Sequence, residues 1–279
     1  MKEPNVSVIG LGCIGGSFAK ALTANGAFIR GWSTSADDNT MARALGIDVP
    51  DVSLEQSVSD ATIVIIAVPV QAIAEVAGTV LRGAPADSVI MHCGGVQSRS
   101  SLQLDDATYA RVIGAHPLAG SHDSGFAASR ADLFHACTVS IESRRTENQQ
   151  NWLTWLWAGV DAARLEYRVA EAHDAMMAWI SHLPQLASIA LAATFAAEHI
   201  DPESVGPGAR DTTRLAASAF EQWSSLVRAQ PAVLDAALAK LESTVSGLRE
   251  ALTHDDQRAL RKIWDAARDW RSSADLPRE

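Results

Sequence analysis

The 279-residue sequence is poor in cysteine, poor in positive charge and without long uninterrupted apolar runs. Its three cysteines, Cys13, Cys93 and Cys137, are too few and too widely spaced for a disulfide framework or a metal site. A reducing, cytoplasmic setting is therefore expected, and no metal. Basic residues number 23 against 33 acidic ones, a formal net charge of −10, which argues against nucleic acid or an anionic membrane as partner. No apolar run is expected to reach transmembrane length. No signal peptide is read at the start, and there is no internal repeat or low-complexity tract. What remains is 47% hydrophobic residues in a chain long enough for two domains.

The most informative stretch comes first. Val6 to Ile9 reads as a buried parallel strand, and Gly10-Leu11-Gly12-Cys13-Ile14-Gly15 follows it. A helix is expected over 17–25, closed by Gly26. This is the G-x-G-x-x-G pattern between a strand and a helix. Gly10 permits the turn, Gly12 lets the backbone approach a pyrophosphate, and Gly15 lets the helix pack close to the strand. The helix N-terminus presents free N–H groups to the phosphates. Cys13 and Ile14, within the turn, are expected to line the cofactor.

The second strand, 27–32, lacks something too. Its end usually carries an acid for the adenosine ribose hydroxyls, but here it runs Gly31-Trp32-Ser33-Thr34-Ser35. Asp37 and Asp38 come too late. The small hydroxyls of Ser33 and Thr34 leave room for a 2′-phosphate, although no arginine follows to pair with it. NAD or NADP is expected, with a lean toward NADP.

Strand and helix signals then alternate. Met41 to Leu45 reads as a short helix. Thr62 to Val68 is a buried strand ended by Pro69, 70–81 is helical, and 88–92 and 111–115 are further strands. Strands are also expected over 138–141 and 163–167. The pattern predicts an α/β fold, a doubly wound, Rossmann-like parallel sheet. The loops after Gly10, Ser33, Pro69, Cys93 and Ala115 should converge on the cofactor, with Val68 and Pro69 among its contacts. From Val169 onward the signal is helical, over 172–198, 213–230, 232–253 and 255–272. The expected domains are 1–168, dinucleotide-binding, and 169–279, an all-α domain of the kind that often forms a dimer interface. The tryptophans Trp152, Trp155 and Trp157 read as packing residues.

A second constellation, Gly114-Ala115-His116-Pro117-Leu118-Ala119-Gly120-Ser121, follows a strand. It puts His116 at the sheet's C-terminal edge, where it can accept a hydrogen bond from a substrate hydroxyl while hydride leaves. The helical half carries His173-Asp174, Ser181-His182-Leu183-Pro184-Gln185 and Arg210-Asp211-Thr212-Thr213-Arg214. Arg210 and Arg214 are four apart on one face. Arg214 is expected to hold a carboxylate, and Arg210 to pair with Asp211 or Glu221 at the surface.

Taken in order with Asp132-Leu133-Phe134 and Trp223, these motifs resemble the prephenate dehydrogenase family, which includes arogenate and cyclohexadienyl dehydrogenases. The resemblance covers nearly the whole chain. It implies a nucleotide domain followed by a helical dimerisation domain, a homodimer, and a cyclohexadiene carboxylate as the small-molecule partner. It implies oxidative decarboxylation, in which hydride leaves ring C4 for the nicotinamide and CO2 leaves C1 as the ring aromatises. By the family pattern His116 bonds the C4 substituent and Arg214 binds the side-chain carboxylate. Ser121, His182, Gln185 and Trp223 are the further substrate contacts it suggests.

The chain departs from that pattern. The family usually has Asp-x-Gly-Ser-x-Lys where this chain has His92-Cys93-Gly94-Gly95-Val96-Gln97. Gly95 replaces a serine whose hydroxyl orients the catalytic histidine, and its loss should weaken the His116 hydrogen-bond relay. Gln97 replaces the lysine. Gln185 replaces a histidine common in prephenate-using members and would suit a zwitterionic side chain such as that of arogenate. One alternative is a 4-amino-4-deoxyprephenate dehydrogenase of a specialised pathway, because an amine at C4 expels hydride more readily. Another is a non-catalytic nucleotide-binding sensor. A β-hydroxyacid-type dehydrogenase fits less well, since Lys240 and Lys262 lie in no polar or glycine-rich motif.

Overall fold

The strands of the N-terminal half are short apolar runs, and burial on both faces is what makes them strands. In the computed structural model, which describes residues 4–120 and 123–273, β1 (Val6–Ile9), β2 (Ile29–Trp32), β3 (Ile63–Ile66), β4 (Val89–His92) and β5 (Val112–Pro117) run parallel. Every residue of β1, β3 and β4 is buried. β6 (Thr138–Glu142) pairs antiparallel with β5, setting His116 opposite Ser140, and β7 (Arg164–Arg168) is parallel to β6. The sheet order is β2-β1-β3-β4-β5-β6-β7. The expected doubly wound sheet is present, with its last two strands reversed. The order changes direction at β1/β3, and a crevice beyond the strand C-termini at such a point is where ligands bind in open α/β sheets.

The helices of this half are α1 (Cys13–Ala24), α2 (Ala36–Ala44), α3 (Leu54–Ser57), α4 (Ile73–Gly83), α5 (Arg99–Leu102), α6 (Asp106–Arg111) and α7 (Glu147–Ala158). α1 starts four residues earlier than expected. Gly15 and Gly16, poor helix formers alone, are helical because tertiary packing requires closeness there. α2 likewise starts at Ala36, capped by Ser35, whose hydroxyl accepts from the Asp38 N–H. Trp157 is fully buried against Phe18 and Phe134, with ring centroids 5.0 and 5.8 Å apart.

The helical half comprises α8 (Ala170–Met177), α9 (Leu183–Ala197), α10 (Pro207–Thr213), α11 (Phe220–Ala229), α12 (Pro231–Thr253) and α13 (Gln257–Ser273). The helix expected over 213–230 is broken. A 3₁₀ turn, Arg214–Ala217, separates α10 from α11. Between α8 and α9 lies a π-helical turn, Ala178–His182. Pro184 cannot donate to the carbonyl four residues back, and the widened turn before it accommodates its ring. One expectation fails here: helix 170–197, 28 residues including this turn, is long and apolar enough to cross a membrane by length and composition. His173, Asp174, His182 and Pro184 interrupt its apolar run in the sequence without lowering its average enough to exclude it. The chain forms two compact units, one ending at Gln230 and one beginning at Pro231. Within the second, α12 and α13 pack on each other.

Candidate active site

Three glycines build the turn after β1. Gly10 sits at φ +90°, where a Cβ would meet the Ala67 carbonyl oxygen at 2.5 Å. At Gly15 a Cβ would lie 1.8 Å from the Gly10 carbonyl oxygen. At Gly12 a Cβ would meet nothing within 4 Å among the described residues. The first two glycines are therefore required by the protein itself. Gly12 leaves open space at the N-terminus of α1, whose first-turn N–H groups favour an anion. A dinucleotide pyrophosphate fits that cradle, and Cys13 and Ile14, both half-buried, flank it.

Beyond β2, Thr34 is exposed, and the Ser33 hydroxyl accepts only from the nearby Ser35 N–H at 3.2 Å. Asp38 is turned away, its carboxylate accepting from the Phe126 N–H at 2.8 Å. Arg30 is committed to Asp48 and Asp60. Val68, half-buried, packs with Trp32 against the core cluster under β3, and Pro69 is exposed beyond it.

His116, next to the last residue of β5, is bound through Nδ1 to Nε2 of His173 at 3.1 Å. His173 Nδ1 is in turn 2.9 Å from Asp174 Oδ1. Asp174 accepts from the backbone N–H of Gln97 at 2.7 Å and of Ser98 at 3.0 Å. A strand end, a helix and the loop after β4 are thus tied in one chain of hydrogen bonds. Burial, reinforced by His173, His182 and His92 nearby, pushes His116 down to about 3 against the pull of Asp174. It is a neutral imidazole throughout the physiological range. His92, buried with its Nδ1 accepting from the Gly94 N–H at 3.2 Å, and His182 are each pushed down by burial to about 4.

Both domains of one family match this chain: prephenate dehydrogenase, nucleotide-binding domain, over residues 18–164, and prephenate dehydrogenase, dimerization domain, over 169–265. The chain belongs to the prephenate dehydrogenase family. It is accordingly an oxidoreductase, a nicotinamide-dependent dehydrogenase. It is 30% identical to a prephenate dehydrogenase of Bacillus subtilis over 99% of this chain and 77% of the relative. It is 28% identical to a cyclohexadienyl dehydrogenase of Zymomonas mobilis over 90% and 89%. The crystal structure of an Aquifex aeolicus prephenate dehydrogenase in complex with hydroxyphenyl propionate and NAD+ superposes with a TM-score of 0.87 at 25% identity, covering 99% of both chains.

Against the pattern of prephenate dehydrogenases, the departures acquire a geometry. A Cβ at Gly95 would stand 3.9 Å from both Cε1 and Nε2 of His116, and 2.9 Å from Leu226 Cδ1. The side chain of α11 thus fills the room a serine would take. The ring is oriented nonetheless, from its other edge, by His173. The Gln97 side chain donates to the Ser140 carbonyl at 2.7 Å, across from His116 on β6.

The substrate-side residues gather less completely. His182 is buried at the π turn, edge-on to Trp223 with ring centroids 6.0 Å apart, and its Nδ1 has no hydrogen-bond partner among the described residues. Gln185 is a strut: its amide donates to the Leu215 carbonyl at 2.8 Å, and the Ser188 hydroxyl accepts from the Ala216 N–H at 3.2 Å. The two bonds pin the turn that carries Arg214, which is exposed and makes no ion pair among the described residues. The surface pair expected of Arg210 with Asp211 or Glu221 is likewise not formed among them. Ser121 lies outside the described residues. Sequence alone assigns no role to His173-Asp174 and does not reveal Leu226 or Ser188. An adjacent His-Asp pair, the type that orients a catalytic imidazole, was the available signal.

Proposed function

We propose that this chain catalyses the NAD(P)-dependent oxidative decarboxylation of a prephenate-like cyclohexadiene, prephenate or arogenate, in aromatic amino acid biosynthesis. The reading rests on one observation above the rest: His116 at the C-terminal end of β5, its Nδ1 held by His173 at 3.1 Å and its Cε1–Nε2 edge toward Gly95, in the parallel sheet whose first strand carries the glycine turn. A dinucleotide held by Gly10, Gly12, Cys13, Ile14, Gly15, Ser33, Thr34, Val68 and Pro69 supplies the hydride acceptor. His116 takes the hydrogen bond of the C4 hydroxyl and draws off its proton as oxidation proceeds. Arg214 pairs with the side-chain carboxylate, and His182 and Trp223 line the remainder. Gln185 acts through the turn that presents Arg214.

The missing acid after β2 favours NADP over NAD, because Ser33 and Thr34 offer hydroxyls where an acid usually stands and Asp38 is engaged by the Phe126 N–H. The functional division lies at residues 168/169. The protein acts as a homodimer through its helical part, where Trp179 and Ile180 are 49% and 58% exposed, and it works in the cytoplasm. No disulfide links its cysteines. Absorbance of the reduced nicotinamide tests this with prephenate, arogenate and 4-amino-4-deoxyprephenate, each against NAD and NADP. Turnover of either of the first two supports the reading. Turnover of the amino compound alone moves the protein to a specialised pathway, a reading favoured by Gly95. Dinucleotide binding without turnover of any of the three refutes both.

A further inference from the structure

We propose that His173 and Asp174 are positioning residues that set the tautomer of His116 and support the charge it acquires, so that the site borrows the substrate's proton and returns it. This rests on the dehydrogenase reading above. The chain of bonds has one consistent direction. Asp174 accepts two backbone N–H groups and faces His173. Although burial alone would raise it, hydrogen bonds from His173, Ser98 and Gln97 prevail and hold its carboxyl below the ordinary value. An ionised carboxylate only accepts, so His173 Nδ1 donates to it. In the direction we assign, His173 Nε2 is then the acceptor and His116 Nδ1 donates to it at 3.1 Å. The remaining nitrogen of His116, Nε2, is left bare on the ring edge that faces Gly95.

The reaction's own balance says what such an arrangement is for. Oxidation at C4 breaks the C4–H bond, whose electron pair leaves as hydride to the nicotinamide, and the O–H bond, whose proton goes to His116 Nε2. The C1–carboxylate bond then breaks. Its electron pair aromatises the ring and turns the C4 carbonyl into a phenolate, which takes the proton back. Hydride and CO2 are lost, and no net proton. The base therefore needs no exit path to solvent; it needs to be neutral before and after, and supported while charged. Burial makes His116 quick to give the proton up. Asp174, one imidazole away, makes the charged interval accessible. The same chain replaces the orientation that a hydroxyl at position 95 would supply.

The tautomer is measured without substrate, by ¹⁵N–¹H NMR of the histidine rings in the whole protein, with His116→Asn and His173→Gln variants for assignment. The expected result at neutral pH is Nδ1–H with bare Nε2 on both His116 and His173. A proton on Nε2 of His116 would overturn the proposal. Kinetically, His173→Leu should lower kcat by about 10²-fold with KM nearly constant. His173→Gln, which keeps an acceptor for His116 Nδ1, should recover part of the loss. Unchanged kcat in both variants also overturns the proposal. If His173→Leu does not fold, His173→Gln and the wild-type spectrum still decide. A bare Nε2 in a protein that turns over neither prephenate nor arogenate refutes the dehydrogenase reading alone, whereas turnover with a protonated Nε2 refutes the relay alone.

Discussion

Replacing Gly12 and Gly15 by alanine separates what the glycine turn does for the fold from what it does for the cofactor. At Gly15 the new methyl would sit 1.8 Å from the Gly10 carbonyl oxygen, and no real Cβ contact lies under 3.0 Å. Backbone must move by about 1.2 Å at the tightest point of the β1–α1 turn. Overpacking of this kind costs about 1–3 kcal/mol, and the upper end applies because the obstacle is main chain. Melting should fall by several degrees, at roughly 2–4 °C per kcal/mol for a domain of this size. At Gly12 the backbone is extended, φ −71° and ψ −159°, and the methyl meets nothing. Alanine there should leave stability unchanged or raise it by about 0.4–1 kcal/mol through the unfolded chain. The methyl would occupy the space through which a pyrophosphate reaches the N–H groups of α1. Dinucleotide affinity should drop at least tenfold, about 1.4 kcal/mol. Thermal melting and calorimetric titration with NAD and NADP read the two effects. Wild-type affinity in Gly12→Ala, or melting as low as in Gly15→Ala, would refute this account of the turn.

The other expectations concern the site. His116→Asn should cut kcat on a hydroxylated substrate by about 10²–10⁴-fold while circular dichroism melting stays near wild type. Arg214→Ala should raise KM about tenfold or more with little change in kcat; an unmoved KM would remove Arg214 from its role. Gln185→Leu breaks the bond to the Leu215 carbonyl, so it should raise KM as well and lower the melting temperature, which Arg214→Ala should not. Gly95→Ser displaces only the flexible tip of Leu226 and brings a hydroxyl toward His116 Nε2, the atom assigned to the substrate proton, so kcat on prephenate should not rise; a higher kcat would show that the His173 chain does not replace a hydroxyl at this position. Stability should depend on acid in a defined direction. His92 and His182 titrate near 6.5 when unfolded and about 4 when folded, so the unfolded chain binds more protons between these values. Stability is complete above about pH 6.5 and declines as pH falls toward 4, and chemical denaturation across that range measures it.

Much of this was legible in the sequence because it depends on local chemistry. Gly10, Gly12 and Gly15 carry their reasons within a strand–turn–helix unit, and the order of buried strands follows from apolar runs too continuous for half-exposed sheets. What was not legible depends on distant partners. Nothing near β5 shows that the strands after it reverse, since a run such as Val139-Ser140-Ile141 reads the same in either direction. The start of α1 is hidden because two glycines argue against helix locally, while contacts with Gly10 and Ser129 demand them there. Gln185 reads as a polar group for the substrate until the turn at Leu215 is placed against it. The His173–His116 bond joins residues 57 apart, a distance at which sequence spacing carries no geometric information.

The central claim, that hydride transfer and decarboxylation occur together at His116, is tested most directly with prephenate carrying deuterium at C4 and ¹³C in the ring carboxylate. Mass spectrometry of the nicotinamide and of the released gas follows both labels in one incubation. The account predicts one deuterium on the reduced cofactor for each ¹³CO2 released, at a rate that collapses for both labels in His116→Asn. Reduction of the cofactor without labelled CO2, or equal rates in the wild type and His116→Asn, would contradict it.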